Sequence, residues 1–172
     1  MENNKTSIII CHHKGKLIER CLKSLENVKA EKIVVTSNQD FTPYRNVNNH
    51  PHRDYKCDLT LFVHNNNPAF KRNFGSICNR VKSQYLCFAD DDVEVRYDCI
   101  QRMEDYLDNY KEVGMVYAML FKMDNHNKID TSGSFLTWYG FLYETYINRI
   151  DPTPILSGKS ALCMIRKDLF NQ

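Results

Sequence analysis

The sequence predicts an α/β fold with a mainly parallel central sheet. Along the chain, continuous apolar runs typical of strands buried on both faces alternate with the three- to four-residue spacing of amphipathic helices. Strands that alternate with helices usually form a parallel sheet covered by helical layers. The 172 residues match one ordinary domain, and no repeat, low-complexity tract or linker divides them.

Eight elements are predicted over the first two-thirds of the chain, and the last third is less regular. The helix after the third strand is predicted because Phe70, Phe74, Ile77, Cys78 and Val81 recur at helical spacing. A polar stretch rich in His and Asn, residues 38–56, separates the second and third strands. In chain order the elements are a strand, a helix, two strands, a helix, a strand, a helix and a strand, at residues 7–10, 17–25, 32–36, 59–63, 69–81, 85–89, 97–110 and 114–121.

Composition narrows the class of protein. A formal charge of +2 and the lack of a polybasic face give no reason to expect a nucleic-acid partner. The seven cysteines are odd in number, form no C-x-x-C pair and fall mostly in apolar segments, so they are interpreted as reduced core thiols in a cytoplasmic protein. No signal peptide and no apolar run of ~20 residues is present, which predicts a soluble chain and leaves a peripheral membrane contact open.

Three consecutive aspartates, Asp90, Asp91 and Asp92, directly follow the fourth predicted strand. Ligands in open α/β sheets bind in the crevice outside the carboxyl ends of the strands. Neighbouring carboxylates repel unless a cation offsets them, and Mg²⁺ typically binds one or two carboxylates together with substrate phosphates. The cluster therefore indicates a metal–diphosphate site, and the alternative is a solvated acidic turn that caps the next segment.

Four segments, in this order, resemble the family 2 glycosyltransferases of the GT-A fold. They are SIIICHHKGKLIERCLKSL, EKIVVTSNQD, NNNPAFKRNFGSICNRVKSQYLCFADDDVEV and ILSGKSALCMIRKDLF. The resemblance implies one three-layer α/β/α domain over residues 1–172. Residues 1–96 would form its nucleotide-sugar-binding half, and residues 97–172 an incomplete acceptor-side half.

The resemblance also implies roles for individual residues around the aspartates. Asp92 would be the direct ligand of Mn²⁺ or Mg²⁺, and Asp90 would act through ribose or metal-bound water as a further metal-site residue. Asp91 would belong to the donor site. Arg72 matches the family's basic residue on the RNFG helix and would steady the nucleotide or its phosphates; the alternative is a solvated arginine on a helix surface.

Five further residues are expected to contact the nucleotide. Cys11, His12 and His13 fall where the family's first loop contacts the base and ribose. Thr36 and Ser37 stand where the family usually carries an aspartate for the base. A hydroxyl still pairs with uracil or thymine but lacks the charge assistance of a carboxylate, so a UDP-sugar or dTDP-sugar is favoured.

The general base is not identified within the sequence. In inverting family members it follows a Gly-Gly-Phe-Asp turn, which the resemblance places beyond Gln172, so a truncated catalytic domain with slow transfer is expected. The alternatives within the chain are Asp130, Glu144 and, as the first of them, Asp151. The aromatic segment FLTWYGFLYETY, residues 135–146, is either a sugar-stacking wall for the acceptor or a core or flap segment.

The predicted function is transfer of a sugar, with inversion, from a nucleotide-diphosphate sugar to a glycan or other hydroxyl acceptor. Two alternatives belong to other classes. A nucleotidyltransferase of related fold would carry a Gly-rich basic loop after the first strand, of which CHHKGK is a poor version. A binding module without catalysis would lack the general base.

Overall fold

A six-stranded sheet forms the centre of the computed structural model, which describes residues 4–13, 15–38, 57–77, 82–148 and 151–170. Two small antiparallel hairpins, over residues 120–131 and 134–144, lie outside this sheet. The strands are β1 (Thr6–His12), β2 (Glu31–Thr36), β3 (Leu59–Phe62), β4 (Tyr85–Asp90), β5 (Met115–Tyr117), β6 (Leu120–Lys122), β7 (Asn125–Thr131), β8 (Ser134–Leu136), β9 (Leu142–Glu144) and β10 (Leu162–Arg166).

The strands of the central sheet follow the order β3-β2-β1-β4-β10-β5. Neighbours among β3, β2, β1 and β4 are parallel, whereas β10 runs antiparallel to both β4 and β5. The prediction of a mainly parallel sheet is confirmed. Because β1 and β4 are adjacent and parallel, their carboxyl ends lie side by side, and Cys11 is in register with Asp90.

Helices cover both faces of the sheet and complete a three-layer α/β/α arrangement. The core on one face joins Ile8 and Ile10 to residues of the first and third helices, and the core on the other face includes Ile9 and Val35. In chain order the helices are α1 (Leu17–Ser24), α2 (Pro68–Ser76), α3 (Cys99–Asn109) and α4 (Lys167–Phe170).

Helix α2 is predicted correctly in position, but its apolar spacing does not mark its buried face. Phe70 and Phe74 stack on each other at the exposed side, whereas Lys71 and Gly75 face the sheet. A Cβ at Gly75 would lie 2.7 Å from Ile9 Cγ2, so the helix approaches the strands too closely for a larger residue. The helix ends at Ser76, and residues 78–81 of its predicted range lie outside the described residues.

One more prediction needs correction, at the last strands. The single strand expected over residues 114–121 is divided into β5 and β6, which belong to different sheets. The segment ILSGKSALCMIRKDLF, placed on the acceptor side by resemblance alone, contributes β10, whose Leu162, Cys163 and Met164 are buried beside β4. The apolar period and the composition of a buried strand do not reveal which strands lie next to it in the sheet.

Other expectations concern the thiols, the polar stretch and the membrane. Six cysteines are free thiols, four of them buried, and Cys78 lies outside the described residues. The polar stretch from residue 38 to 56 also lies outside them, apart from Asn38. Among the helices that the structure describes, none has the length and apolar character to cross a bilayer.

Candidate functional site

A cleft of about 430 Å³ opens at the carboxyl ends of β1 and β4. The end of β1, the start of α2, the aspartate turn after β4 and the residues before β10 each contribute to it. The arrangement places groups far apart in sequence around one opening, at the position where α/β sheets bind ligands. The cleft is lined by Cys11, His13, Asn66, Pro68, Lys71, Arg72, Asp90, Asp91, Asp92 and Ser160.

The three aspartates lie in three different environments, which is how the structure accommodates adjacent like charges. Arg72 Nη2 donates to Asp90 Oδ1 at 2.7 Å. The backbone N–H of His13 donates to Asp91 Oδ2 at 3.0 Å. Asp92 is exposed and makes no hydrogen bond or ion pair within the described part of the chain. The cluster therefore keeps one carboxylate available at the cleft.

Asp90, at the end of β4, is partly buried. Desolvation raises its pKa above the ordinary aspartate value, although the Arg72 guanidinium acts in the opposite direction. Burial disfavours the charged form, and a nearby cation restores it. A further cation in the cleft would favour ionised Asp90 in the same way.

Arg72 is held in place rather than solvated. The side chain comes from α2 and is 18% exposed. In addition to its bond to Asp90, Nη2 donates to the Ser160 carbonyl at 3.3 Å. Its Nε is buried and has no hydrogen-bond partner among the described residues. Arg72 thus ties α2 to β4 and to the residues before β10, on the wall of the cleft.

Lys71 is the clearest functional candidate that the sequence did not reveal. It is 2% exposed, and Nζ donates to the His12 carbonyl at 2.6 Å and to Ser37 Oγ at 3.1 Å. No carboxylate of the described residues lies within 4.0 Å of Nζ, and burial lowers the pKa of Lys71. A buried ammonium without a counter-ion is costly, so an anionic ligand in the cleft would offset that cost.

The position of Gly75 in the same helix is a sequence signal that could have identified Lys71. Gly75 follows Lys71 by four residues, so the two share a helix face. A glycine within a helix often marks close packing against a neighbouring element. The larger phenylalanines at 70 and 74 gave the stronger periodicity and pointed to the opposite face.

Three residues at the end of β1 are predicted to contact the nucleotide, and the structure places two of them at the cleft and one in the interior. Cys11 and His13 line the cleft, but His12 is 1% exposed and lies off its wall. Burial lowers the pKa of His12, and burial raises the pKa of the Cys11 thiol to about 11. Cys11 is therefore a protonated thiol near neutral pH, and its Sγ donates weakly to the Pro68 carbonyl at 3.7 Å.

The structure does not bring Thr36 and Ser37 to the cleft wall. Thr36 is fully buried, and its Oγ1 accepts from the backbone N–H of Asn38 at 3.0 Å. Ser37 Oγ donates to Asn66 Oδ1 at 2.5 Å and accepts from Lys71. Asn66 and Lys71 line the cleft, so Ser37 supports that wall from behind.

Three carboxylates within the chain are considered as general bases, Asp130, Glu144 and Asp151. Asp130 Oδ2 accepts from Lys159 Nζ at 2.9 Å, and Glu144 and Asp151 are exposed. None of the three lines the cleft. The assignment of Asp151, and of a base beyond Gln172, stays a prediction. Ser160, which the sequence did not single out, lies on the cleft wall instead.

The carboxylates suit a cation that is shared with a ligand. Within the described ranges no group of three or more His, Cys, Asp or Glu residues is arranged to hold a metal ion without other ligands. Mg²⁺ usually takes only one or two carboxylates and completes its shell with water and substrate phosphates. Asp92, with Asp90 beside it, offers that donor set, and the hard oxygens fit Mn²⁺ or Mg²⁺.

Comparisons with known proteins define the class. The family model described as glycosyl transferase family 2 matches residues 6–172, and the chain belongs to this family. The expected GT-A fold is confirmed by this match together with the mixed, mainly parallel sheet between helices. No curated protein matches the sequence at a comparable level of significance.

The solved structures that share the fold include the following two. One is Staphylococcus aureus TarS 1-349, with a TM-score of 0.54 and 16% identity over 97% of this chain. The other is 4-diphosphocytidyl-2C-methyl-D-erythritol synthase from Anaerococcus prevotii DSM 20548, with a TM-score of 0.54 and 13% identity over 98% of this chain. This chain spans 48% of the TarS fragment and 74% of the synthase.

Proposed function

We propose that this chain binds a nucleotide-diphosphate sugar and a divalent cation, as the donor-binding domain of a glycosyltransferase. The observation that carries the proposal is the cleft itself, where Lys71 and Arg72 lie beside an acidic cluster at the ends of β1 and β4. Membership of glycosyl transferase family 2 supports a nucleotide-sugar as the ligand. The cytoplasmic location and the hydroxyl acceptor expected from the sequence are part of the same proposal.

The charges of the cleft match a diphosphate that arrives with a cation. Asp92, assisted by Asp90, would hold Mn²⁺ or Mg²⁺, which when bound supplies Lewis-acid stabilisation of the leaving diphosphate. Lys71 provides a buried positive charge for the anionic nucleotide, with no carboxylate of the described residues in ion-pair contact. A diphosphate would bring negative charge to both the divalent cation and Lys71, whereas a neutral ligand would bring it to neither.

The other cleft residues position these charges. Arg72 holds the Asp90 carboxylate by one hydrogen bond and the Ser160 carbonyl by another, so it orients the acidic turn relative to α2. The His13 amide holds Asp91. Preorganised groups of this kind cost no rearrangement when charge develops on the diphosphate.

The nucleobase would lie towards Asn66, with Ser37 behind it. The Asn66 side chain offers an amide N–H and an amide carbonyl, which can pair with the carbonyl and N–H groups of uracil or thymine. We therefore propose UDP or dTDP as the nucleotide. Inversion is a proposal that follows from family membership, and Asp151 is the candidate for the general base within the chain.

Nucleotidyl transfer is the competing chemistry. One of the similar structures is a 4-diphosphocytidyl-2C-methyl-D-erythritol synthase, but at 13% identity it supports the fold alone. The family match favours sugar transfer. The test is titration calorimetry with UDP, dTDP and GDP in the presence of Mn²⁺, followed by assays with radiolabelled nucleotide-sugars.

Mn²⁺-dependent binding of UDP or dTDP and release of the nucleoside diphosphate from the sugar are expected. Pyrophosphate release from a nucleoside triphosphate and a sugar phosphate would instead identify a nucleotidyltransferase. Absence of nucleotide binding with and without Mn²⁺ would contradict the proposal altogether.

A further inference from the structure

The aspartate turn, residues 90–95, is joined to α1 by a hydroxyl of that helix. Ser24, the last residue of α1, accepts at Oγ from the backbone N–H of Val95 at 2.9 Å. The same Oγ donates to the Cys21 carbonyl at 2.7 Å. A serine hydroxyl has one hydrogen to donate and two lone pairs that accept. The bond to Cys21 uses the hydrogen and leaves the lone pairs for the Val95 N–H.

The bond from Val95 lies at a buried position. Val95 is 5% exposed and packs in the same core as Ile18 and Cys21 of α1. An N–H that loses its acceptor in such surroundings costs free energy. The Ser24 hydroxyl therefore holds the backbone of the turn at its carboxyl end.

On the amino side of Asp92, the turn is held by bonds to β1 and to the residues before β10. The Asp90 N–H donates to the Ala161 carbonyl at 2.9 Å, and Asp91 Oδ2 accepts from the His13 N–H at 3.0 Å. Asp92 itself makes no hydrogen bond or ion pair in the part of the chain that the structure describes. The position of its carboxylate therefore depends on the backbone that is held on either side.

On the carboxyl side of Asp92, α1 supplies two contacts of unequal strength. Arg20 pairs with Glu94, but the two side chains are 52% and 36% exposed. Ion pairs that are open to solvent contribute little to stability. The hydroxyl of Ser24 bonds a buried backbone N–H instead, so it is the stronger of the two contacts.

We propose that Ser24 is a positioning residue for the divalent cation, and that it acts through the place it gives to Asp92. The inference rests on the proposed function, in which Asp92 is the direct metal ligand. Hydrogen bonds that orient the ligands of a metal typically contribute about 10–100-fold to its affinity. A turn held on one side alone would have to be ordered when the cation binds, and this ordering lowers the affinity.

Ser24→Ala tests the proposal, because it removes the acceptor and keeps a residue that favours the helix. Titration calorimetry uses Mn²⁺ with UDP or dTDP, whichever binds the parent more tightly. We expect the Mn²⁺-dependent affinity to fall about tenfold, and the affinity in EDTA to stay at the parental value. A serine that served stability alone would lower the urea midpoint and leave both affinities unchanged.

A double-mutant cycle shows whether Ser24 acts through Asp92. When Asp92 is already replaced in Asp92→Asn, the additional change Ser24→Ala should have no further effect on nucleotide affinity. The effects of two independent residues would add instead.

Two substitutions serve as controls for the lost hydroxyl. Ser24→Thr keeps the hydroxyl and should restore the parental affinity in Mn²⁺. Ser76→Ala removes a serine that ends α2 and donates to the Asn73 carbonyl at 2.8 Å, as Ser24 donates to Cys21. Ser76 has no bond to the aspartate turn within the described residues, so Ser76→Ala should leave the Mn²⁺-dependent affinity unchanged.

If Ser24→Ala does not fold, Ser24→Cys tests the same bond, because it nearly keeps the side-chain size and offers only a weakly accepting sulfur. Three results would overturn the inference. They are a parental Mn²⁺-dependent affinity in the folded variant without the hydroxyl, an equal further loss in the Asp92→Asn background, or a folded Ser24→Thr that does not restore the affinity. A parent that binds neither nucleotide with Mn²⁺ would instead contradict the proposed function.

Discussion

The two ends of the β1–β4 pair both carry charged clusters, but they differ in how completely the charges are paired. At the amino end, Lys5 pairs with Asp108, which also accepts from the Tyr85 hydroxyl at 2.7 Å. Thr6 Oγ1 donates to Glu104 at 2.5 Å. At the carboxyl end, Lys71 lacks a carboxylate partner and Asp92 lacks any partner among the described residues.

This difference separates a structural cluster from a binding cluster. Charges that satisfy each other within the fold gain nothing from a ligand, because their hydrogen-bond capacity is already used. Charges left without partners retain that capacity. The carboxyl end also opens into a cleft, and the amino end is where α3 packs against β1 through Glu104. Substitutions at matched positions of the two ends test this interpretation.

The largest effect is expected from Asp92→Asn. It removes the charge of the proposed metal ligand and keeps the shape, and even supporting residues around a metal contribute about 10–100-fold to its affinity. We expect Mn²⁺-dependent affinity for UDP or dTDP to fall at least about 100-fold by titration calorimetry, with the unfolding midpoint preserved.

Asp108→Asn is the matched control at the amino end. It should leave nucleotide affinity unchanged and lower stability, because Asp108 accepts from Lys5 and Tyr85. If chelator and Asp92→Asn both leave nucleotide affinity unchanged, the metal assignment is wrong.

A somewhat smaller effect is expected from Lys71→Met. Methionine fills a similar volume without the charge, and a hydrogen bond to a charged group contributes about 1.5–3 kcal/mol, which corresponds to roughly 10–100-fold in affinity. Nucleotide affinity should fall by that factor at saturating Mn²⁺. Stability should change little or rise, since a desolvated ammonium is removed from the folded state.

Lys5→Met provides the comparison for Lys71→Met. Lys5 is paired with Asp108, so its loss should affect stability and not nucleotide affinity. Equal nucleotide affinity in Lys71→Met and Lys5→Met would show that the unpaired ammonium does not serve the ligand.

The choice of nucleobase gives the next smaller effect. Under matched Mn²⁺ we expect UDP and dTDP to bind more tightly than GDP. Ser37→Ala should weaken UDP by about 2–10-fold, because a neutral hydrogen bond contributes about 0.5–1.5 kcal/mol and Ser37 supports Asn66 and Lys71. Tighter binding of GDP than of the other two would contradict the assignment of the base.

The smallest effect is a pH dependence at the amino end. Burial raises the pKa of Glu104 above its ordinary value of 4.5. Between the ordinary pKa and the raised pKa, Glu104 holds a proton in the folded state that it has lost in the unfolded state. The contribution of Glu104 to stability therefore falls as pH rises through this window.

In Glu104→Gln this fall is absent. The free energy of unfolding of Glu104→Gln should therefore rise relative to that of the parent as pH rises above 4.5. Urea titrations at several pH values measure both free energies. A Glu104→Gln difference that is constant with pH would rule out the buried-acid interpretation.

Much of the candidate site could be predicted because its parts are local in sequence. A carboxylate that directly follows a buried strand must lie at the edge of the sheet, and this places Asp90, Asp91 and Asp92 without knowledge of the fold. Cys11 and His13 are placed at the nucleotide by the family resemblance, which places His12 there too, although the structure buries His12. The alternation of strands and helices also follows from the period of the apolar residues, since each period reflects the geometry of its own element.

The sequence by itself determined the layers of the fold, the carboxyl edge that carries the aspartates and the location of Arg72 on a helix. Only the tertiary structure decided that α2 turns Lys71 and Gly75 to the sheet, that β10 enters beside β4, and that Ser160 completes the cleft. The physical reason is that the orientation of a helix and the neighbours of a strand depend on how separate elements pack together. Phe70 and Phe74 have the stronger apolar period, but close approach of the backbone at Gly75 to Ile9 requires the opposite face to point inward.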